Sequence, residues 1–277
     1  LPGIVPLPML ARATAAGASA SQLAVIAGPA ASGLLYAVSP ILVYGLCATL
    51  YLTSSTLISL VTAERTATSR QPLSLGMLFA GFSYMRHNRI VLGVITLDLC
   101  AVILGGAFAL LPVFAHDVFG TSSWGFGLLR ASPGVGALLT ALALAHWPLR
   151  QHVGRIMFIA VATYGTALII FAFSHSFVLS MLLLAILGVA DMLSVVIRMT
   201  LIQLETPDDM RGRVSAVNSL FVTASNQLGD FRAGLMASWF GAQTAVMVGG
   251  VGALIVVLVG RKLFAPLYER DSFETRR

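Results

Sequence analysis

Eight long apolar stretches divide this sequence of 277 residues, and they limit its fold more than any other feature. Each stretch is long enough for a membrane-spanning helix, which needs roughly 20 mostly apolar residues. Hydrophobic residues make up 57% of the chain and charged residues 10%, with a mean hydropathy of +0.90, so an ordinary soluble domain is excluded. The sequence predicts an all-α integral membrane protein with spans at residues 13–38, 41–61, 90–114, 124–147, 156–173, 177–203, 214–240 and 243–260.

The basic residues predict which ends of the spans lie in the cytoplasm. Of the 17 Lys and Arg residues, three lie within spans, namely Arg130, Arg198 and Arg232. All the others fall on one side of the membrane if the connection 62–89 is cytoplasmic, as the positive-inside rule requires. Both ends of the chain are then cytoplasmic. The net charge of +6 therefore indicates orientation in a membrane rather than binding to nucleic acid.

An internal repeat indicates how the spans are organised. Residues 6–34 align with residues 207–235 after a shift of 201 positions, and a proline followed by a basic loop opens the same helix in both copies. The two copies are six spans apart and run in the same direction, so the repeating unit has six helices. Residues 90–262 form one complete unit, whereas residues 1–61 hold only the last two helices of the other.

Two six-helix halves related by parallel repetition are typical of the major facilitator superfamily, which the chain resembles over essentially its whole length. The first span is also similar to the antiporter motif of that superfamily, whose spacing is matched by small residues and a proline at Ala15, Ala24, Gly28, Pro29, Ser32 and Gly33. The run GLLRASPGVGALLTAL and the loop PDDMRGRVSAVNS resemble the branch that includes bacterial enterobactin and macrolide exporters.

This resemblance implies that eight of twelve transmembrane helices are present, numbered 5 to 12, and that helices 1–4 are missing. Residues 1–61 then hold helices 5 and 6, and residues 62–89 form the central cytoplasmic connection. That connection is predicted to contain an interfacial helix at residues 73–85. Residues 263–277 form a cytoplasmic tail, and the expected location is the bacterial inner membrane.

Six ionisable residues lie within the predicted spans. A charge that faces hydrocarbon costs several kcal/mol, so these side chains are expected to face protein or water. The resemblance implies that their helices line the central cavity or face the other half. The six residues are three acids and three bases that are able to neutralise one another: Asp98, Arg130, Asp191, Arg198, Asp230 and Arg232.

Three of these residues are predicted to bind protons or substrate, and the two remaining bases, Arg198 and Arg232, are predicted to be structural ties. Asp98 has no basic residue three or four positions away on its own helix, which favours a role as an unpaired acid that carries the coupling proton. Asp191 and Arg130 are the other proton or substrate candidates. Arg198 is predicted to be a structural tie whose side chain extends to the cytoplasmic interface.

The segment SNQLGDFRAG carries the most specific predictions. The repeat places Asp230 at the position of Pro29, with Gly229 and Gly234 at the positions of Gly28 and Gly33, so this segment and the first span are predicted to pack and gate the contact between the halves. Residues two apart on a helix point about 200° apart, so Asp230 and Arg232 need separate partners. The partner of Asp230 is expected in the missing helices. Arg232 is predicted to be a structural tie, with Asp191 as a candidate partner.

The resulting functional interpretation is a secondary active transporter that exports a siderophore or an amphiphilic drug-like molecule in exchange for protons. Its partners are then the substrate, protons, the lipid bilayer and the missing helices 1–4. No cofactor is expected, and the sequence contains no catalytic motif and no pair of metal ligands. Two alternatives remain open: a membrane-embedded enzyme that uses His116 and Asp117, and a non-transporting fragment of a transporter.

Overall fold

A computed structural model describes residues 38–60, 75–147, 149 and 151–273, together with residues 24, 28, 31–33, 35 and 36. The regular structure of these residues is helical. The helices are α1 (Pro40–Ser59), α2 (Leu75–His87), α3 (Arg89–Gly105), α4 (Ser123–His146), α5 (Val153–Phe173), α6 (Phe177–Glu205), α7 (Asp208–Phe240), α8 (Ala242–Leu263) and α9 (Ala265–Tyr268).

The described helices confirm the all-α membrane fold. Within the described part of the chain, 6 helices are long and apolar enough to cross a membrane, namely α1, α3 with its continuation to Val118, α4, α5, α6 and α8. They match six of the eight predicted spans. Helix α7 contains the predicted span 214–240 but is not among the six, whereas most of the first predicted span lies outside the described residues.

Helices α3 to α8 form one packed unit with two apolar clusters. The first cluster lies around the buried Phe114 and Phe171, whose ring centroids are 4.7 Å apart. The second lies around Leu97, Phe158 and Ile197. In contrast, no residue of α1 is buried by the described part of the chain. Helices α3 to α8 therefore have a core of their own.

Helix α3 is broken in the middle of the predicted span. It begins after Asn88, whose side-chain oxygen accepts hydrogen bonds from the amides of Ile90 and Val91 at 3.0 and 3.2 Å. It ends at Gly106, which has a φ of 50° and so adopts the left-handed conformation that glycine tolerates best. The span then continues through a 3₁₀ turn (Ala107–Leu110), a short α-helical turn (Leu111–Val113) and a π turn (Phe114–Val118). Such irregular turns often lie at functional sites.

The segment after α8 packs onto the unit. The carbonyl groups of Arg270 and Asp271 accept hydrogen bonds from the amides of Gly154 and Val153, at 2.9 and 3.4 Å, and so satisfy free N–H groups at the start of α5. Leu267 of α9 is fully buried. This docked segment covers one end of the unit, which is the end predicted to be cytoplasmic.

Candidate functional site

A buried ion pair joins α3 and α6. Arg198 donates a short hydrogen bond to Oδ2 of Asp98, and the Ser194 hydroxyl donates to Oδ1 of the same carboxylate at 2.7 Å. Arg198 is 3% exposed and Asp98 is 5% exposed. Both oxygens of this carboxylate therefore have protein partners, as a charge in a spanning segment requires.

Two predictions about this pair are wrong. Arg198 does not extend to the interface, because its guanidinium is buried against Asp98. Asp98 is not an unpaired acid, since its base comes from α6 rather than from its own helix. The physical reason is that the packing of α3 against α6 places an acid within reach of Arg198, so the two charges neutralise each other inside the unit.

One face of α6 carries a polar stripe that approaches this pair. Asp191, Ser194 and Arg198 are separated by three and four residues, so they lie on the same face of the helix. Asp98 of α3 lies opposite Ser194 and Arg198. Asp191, at the other end of the stripe, is exposed and has no hydrogen bond or ion pair with any described residue. One end of the stripe is therefore a buried ion pair, and the other end is an exposed acid.

Arg232 of α7 caps the broken end of α3. Its Nε donates to the carbonyl of Ile103 at 2.9 Å, and its Nη2 donates to the carbonyls of Leu104 and Gly105. The last four carbonyl groups of a helix have no partner within that helix and carry its partial negative charge. A guanidinium at this position supplies both the hydrogen bonds and the opposite charge.

The contacts of α7 correct two further expectations. Arg232 binds the α3 carbonyls instead of Asp191, because α7 approaches the end of α3 closely at Gly229. A methyl group at Gly229 would lie 2.7 Å from the carbonyl oxygen of Val102. Gly229 therefore faces α3 rather than a helix of the other half.

Asp230 and Arg130 are exposed side chains near the end of α3. The Arg130 guanidinium lies 5.5 Å from the ring centroid of Phe108 and donates a long hydrogen bond of 3.4 Å to the carbonyl of that residue. Phe108 and Asp230 line the same cavity, so an arginine of the same six-helix unit lies near this acid.

Two cavities are lined by the acidic residues of α3, α6 and α7. A cavity of about 20 Å³ lies between α3, α5 and α6, and its polar lining residues are Asp98, Tyr164, Asp191 and Ser194. A cavity of about 80 Å³ lies beside it at the α3 break, with the polar lining residues Tyr164, Asp191, Asn226 and Asp230. Sequence reasoning missed Tyr164 on α5, although a tyrosine in the middle of an apolar span was the available signal.

The first predicted span contacts the unit through one of its glycines. A methyl group at Gly33 would lie 2.7 Å from the carbonyl oxygen of Ser123 and 2.9 Å from the Cα atom of Gly127 in α4. A methyl group at Gly28 or Gly234 would meet no described atom within 4 Å. Pro29 lies outside the described residues. Close packing at the antiporter-like segment is therefore observed at Gly33.

His116 and Asp117, the residues of the enzyme alternative, are adjacent on the π turn. His116 Nδ1 lies 2.6 Å from Oδ1 of Asp117, and their side chains are 89% and 63% exposed. No nucleophilic side chain is hydrogen-bonded to this pair within the described residues. The described residues also contain no group of three or more His, Cys, Asp or Glu side chains able to hold a metal ion.

Comparison with known sequences identifies the family of the chain. Residues 1–277 match the family described as transmembrane secretion effector. The chain belongs to this family of the major facilitator superfamily. Its members are transporters, so the family assignment argues against the enzyme alternative.

The chain is also similar to bacterial exporters. It is 27% identical over 237 residues to the enterobactin exporter EntS of Shigella flexneri, an alignment that covers 84% of this chain and 52% of the relative. It is 27% identical over 221 residues to EntS of Salmonella typhi, which covers 79% of this chain and 52% of the relative. The chain thus spans about half the length of the curated relatives it matches.

Proposed function

We propose that this chain forms the larger part of a secondary active exporter, in which substrate binds between two halves and is released when the halves rock against each other. The family and the similarity to exporters support this proposal. The observation that carries it is the exposure of Arg130, Asp191 and Asp230 on one side of the six-helix unit. Charges in such segments require protein or water around them, so this side borders the substrate cavity.

The proposed substrate is a siderophore or an amphiphilic drug-like molecule. The relatives carry the name enterobactin exporter, which supports the first class. Beside the charged residues, the exposed side of the unit contains Phe108 under the Arg130 guanidinium. An aromatic ring beside a cation and two acids offers both apolar and polar contacts to an amphiphile.

We infer that protons drive the export and that Asp191 carries them. Asp98 already has an ion pair and a second hydrogen bond, which a proton on its carboxylate would disrupt. Asp191 has neither within the described residues, and it is exposed at the two cavities. An acid that is open to water and free of a counter-ion can gain and lose a proton with little rearrangement.

The proposed exporter lies in the bacterial inner membrane, with both ends of this chain in the cytoplasm. The distribution of basic residues supports this orientation. The internal repeat supports a requirement for four further helices, which would supply most of the opposite cavity wall. The chain 1–277 alone is accordingly expected not to transport, so substrate-dependent efflux by this chain in liposomes would contradict that part of the proposal.

The coupling proposal is tested in the transporter that joins this chain to a complete first half. Inverted membrane vesicles are given a pH gradient, and uptake of enterobactin is compared with exchange of labelled enterobactin at equal pH on both sides. Asp191→Asn is expected to abolish uptake driven by the pH gradient while exchange continues. Proton-driven uptake at the wild-type rate in Asp191→Asn would overturn the role of Asp191, and a wild-type transporter that uses no pH gradient would overturn proton coupling itself.

A further inference from the structure

Tyr164 stands at the junction of the two cavities, since it is a polar residue that lines both of them. A water molecule needs about 10–15 Å³ of cavity volume and two to four polar partners. The cavity of about 20 Å³ offers room for one water, and the cavity of about 80 Å³ offers room for several. Asp191 also lines both, so Tyr164 and Asp191 form the polar boundary between the two spaces.

The position of the Tyr164 hydroxyl is fixed by packing. Tyr164 is 8% exposed, and its ring belongs to the apolar cluster around Phe171. A methyl group at Gly105 would lie 2.6 Å from the hydroxyl oxygen, so the phenol reaches the broken end of α3. Within the described residues this hydroxyl has no hydrogen-bond partner. A buried tyrosine hydroxyl usually has one, and water in the adjoining cavities would supply it.

Acidic side chains line both cavities beside this phenol. Asp191 of α6 and Asp230 of α7 interact with it electrostatically, and so does Arg232 of α7. Asp98, which is paired with Arg198, also lines the smaller cavity. Arg232 and Arg198 are held by carbonyl groups and by Asp98, respectively. Asp191 and Asp230 form no ion pair within the described residues. They are therefore the groups between which a proton can move.

We propose that Tyr164 is a proton relay between Asp230 and Asp191. This inference rests on the proposed proton-coupled export and adds a residue from α5 to it. Protonated Asp230 gives its proton to a water in the larger cavity, that water gives one of its protons to the Tyr164 oxygen, and the Tyr164 hydroxyl proton passes through a second water, in the smaller cavity, to the Asp191 carboxylate. Water and tyrosine end unchanged, and the net result is one proton moved from Asp230 to Asp191.

The experiment uses Tyr164→Phe in the complete transporter, because phenylalanine keeps the ring in the core and removes only the hydroxyl. Tyr51→Phe is the matched control, since Tyr51 is 78% exposed on α1 and lies outside both cavities. Uptake of enterobactin driven by a pH gradient and exchange of labelled enterobactin at equal pH are measured for each protein. Thermal unfolding in detergent shows that the variants fold.

Tyr164→Phe is expected to lower proton-driven uptake by at least about tenfold, as for loss of a proton-transfer group, with exchange and stability close to those of Tyr51→Phe. Proton-driven uptake close to the wild-type rate would overturn the relay alone. An equal fall in uptake and exchange would show that the hydroxyl supports the structure, which also overturns the relay. A wild-type transporter without proton-driven uptake would overturn coupled export and the relay together.

Discussion

The acids of the six-helix unit occupy two different environments. Asp98 is buried and has both carboxylate oxygens bonded to α6. Asp191 and Asp230 are exposed, and neither forms an ion pair within the described residues. Yet Asp191 and Arg198, the partner of Asp98, lie on the same face of the same helix. Position along that face, at its buried or at its exposed end, therefore separates a structural acid from an acid available for transport.

The largest expected effect on stability comes from breaking the buried Asp98–Arg198 pair. Arg198→Met leaves the Asp98 carboxylate buried without its cation, which should lower the free energy of unfolding by about 3–5 kcal/mol. Denaturant titration of the purified protein in detergent measures this loss. The double variant Asp98→Leu with Arg198→Met removes both charges and should recover most of the stability. A single variant as stable as the wild type would contradict the structural role of the pair.

A smaller effect is expected from the arginine that caps the end of α3. Arg232→Gln removes the cation from the last carbonyls of α3, and hydrogen bonds from charged groups contribute about 1.5–3 kcal/mol. The matched control is Arg130→Gln, because Arg130 is exposed and makes one long bond to the Phe108 carbonyl. The midpoint temperature of thermal unfolding should fall clearly for Arg232→Gln and not for Arg130→Gln. Equal decreases in both variants would argue against a specific cap at the break.

The glycines of the SNQLGDFRAG segment provide a sharper test of close packing. Gly229→Ala places a methyl group against the Val102 carbonyl and is expected to cost about 1–3 kcal/mol. Gly234→Ala meets no described atom within 4 Å and should change stability by less than about 0.5 kcal/mol. Both values come from denaturant titration in detergent. The opposite order would show that α7 packs through its other glycine.

The smallest effect on stability is expected at the open acid of α7. Asp230→Asn keeps the shape of an exposed side chain, so the free energy of unfolding should change by less than about 0.5 kcal/mol. Proton-driven export by the complete transporter should nevertheless fall, since Asp230 lines the larger cavity. Vesicle transport together with thermal unfolding separates the two effects. Full export activity in Asp230→Asn would remove it from the proposed gating and proton path.

The fold was largely predictable because long apolar spans and a shift of 201 residues are properties of the sequence itself. The pairing of Asp98 with Arg198 was not, since it joins residues 100 positions apart on different helices. Hydropathy shows that both residues lie within the membrane, but only the packing of α3 against α6 brings their side chains together. The sequence alone therefore predicted which charged residues lie within the membrane, and not which of them pair.

The broken end of α3 shows a second limit. The pair of glycines at 105 and 106 is visible in the sequence, yet an apolar run of this length predicts one continuous helix. The break becomes meaningful only when Arg232 is seen to cap it and Gly229 to pack beside it. Tyr164 was missed for the same reason, because a tyrosine in an apolar span gives no sign of which neighbouring helix its hydroxyl reaches.

The segment that follows α8 also affects the order in which the protein is assembled during translation. The amides of Val153 and Gly154 at the start of α5 bond to carbonyls of Asp271 and Arg270. A ribosome makes α5 before α6, α7 and α8, so these amides must wait until the residues after Leu263 have left the exit tunnel. A nascent chain stalled at Leu263 would contain every spanning helix of the unit and still lack the residues that complete the start of α5.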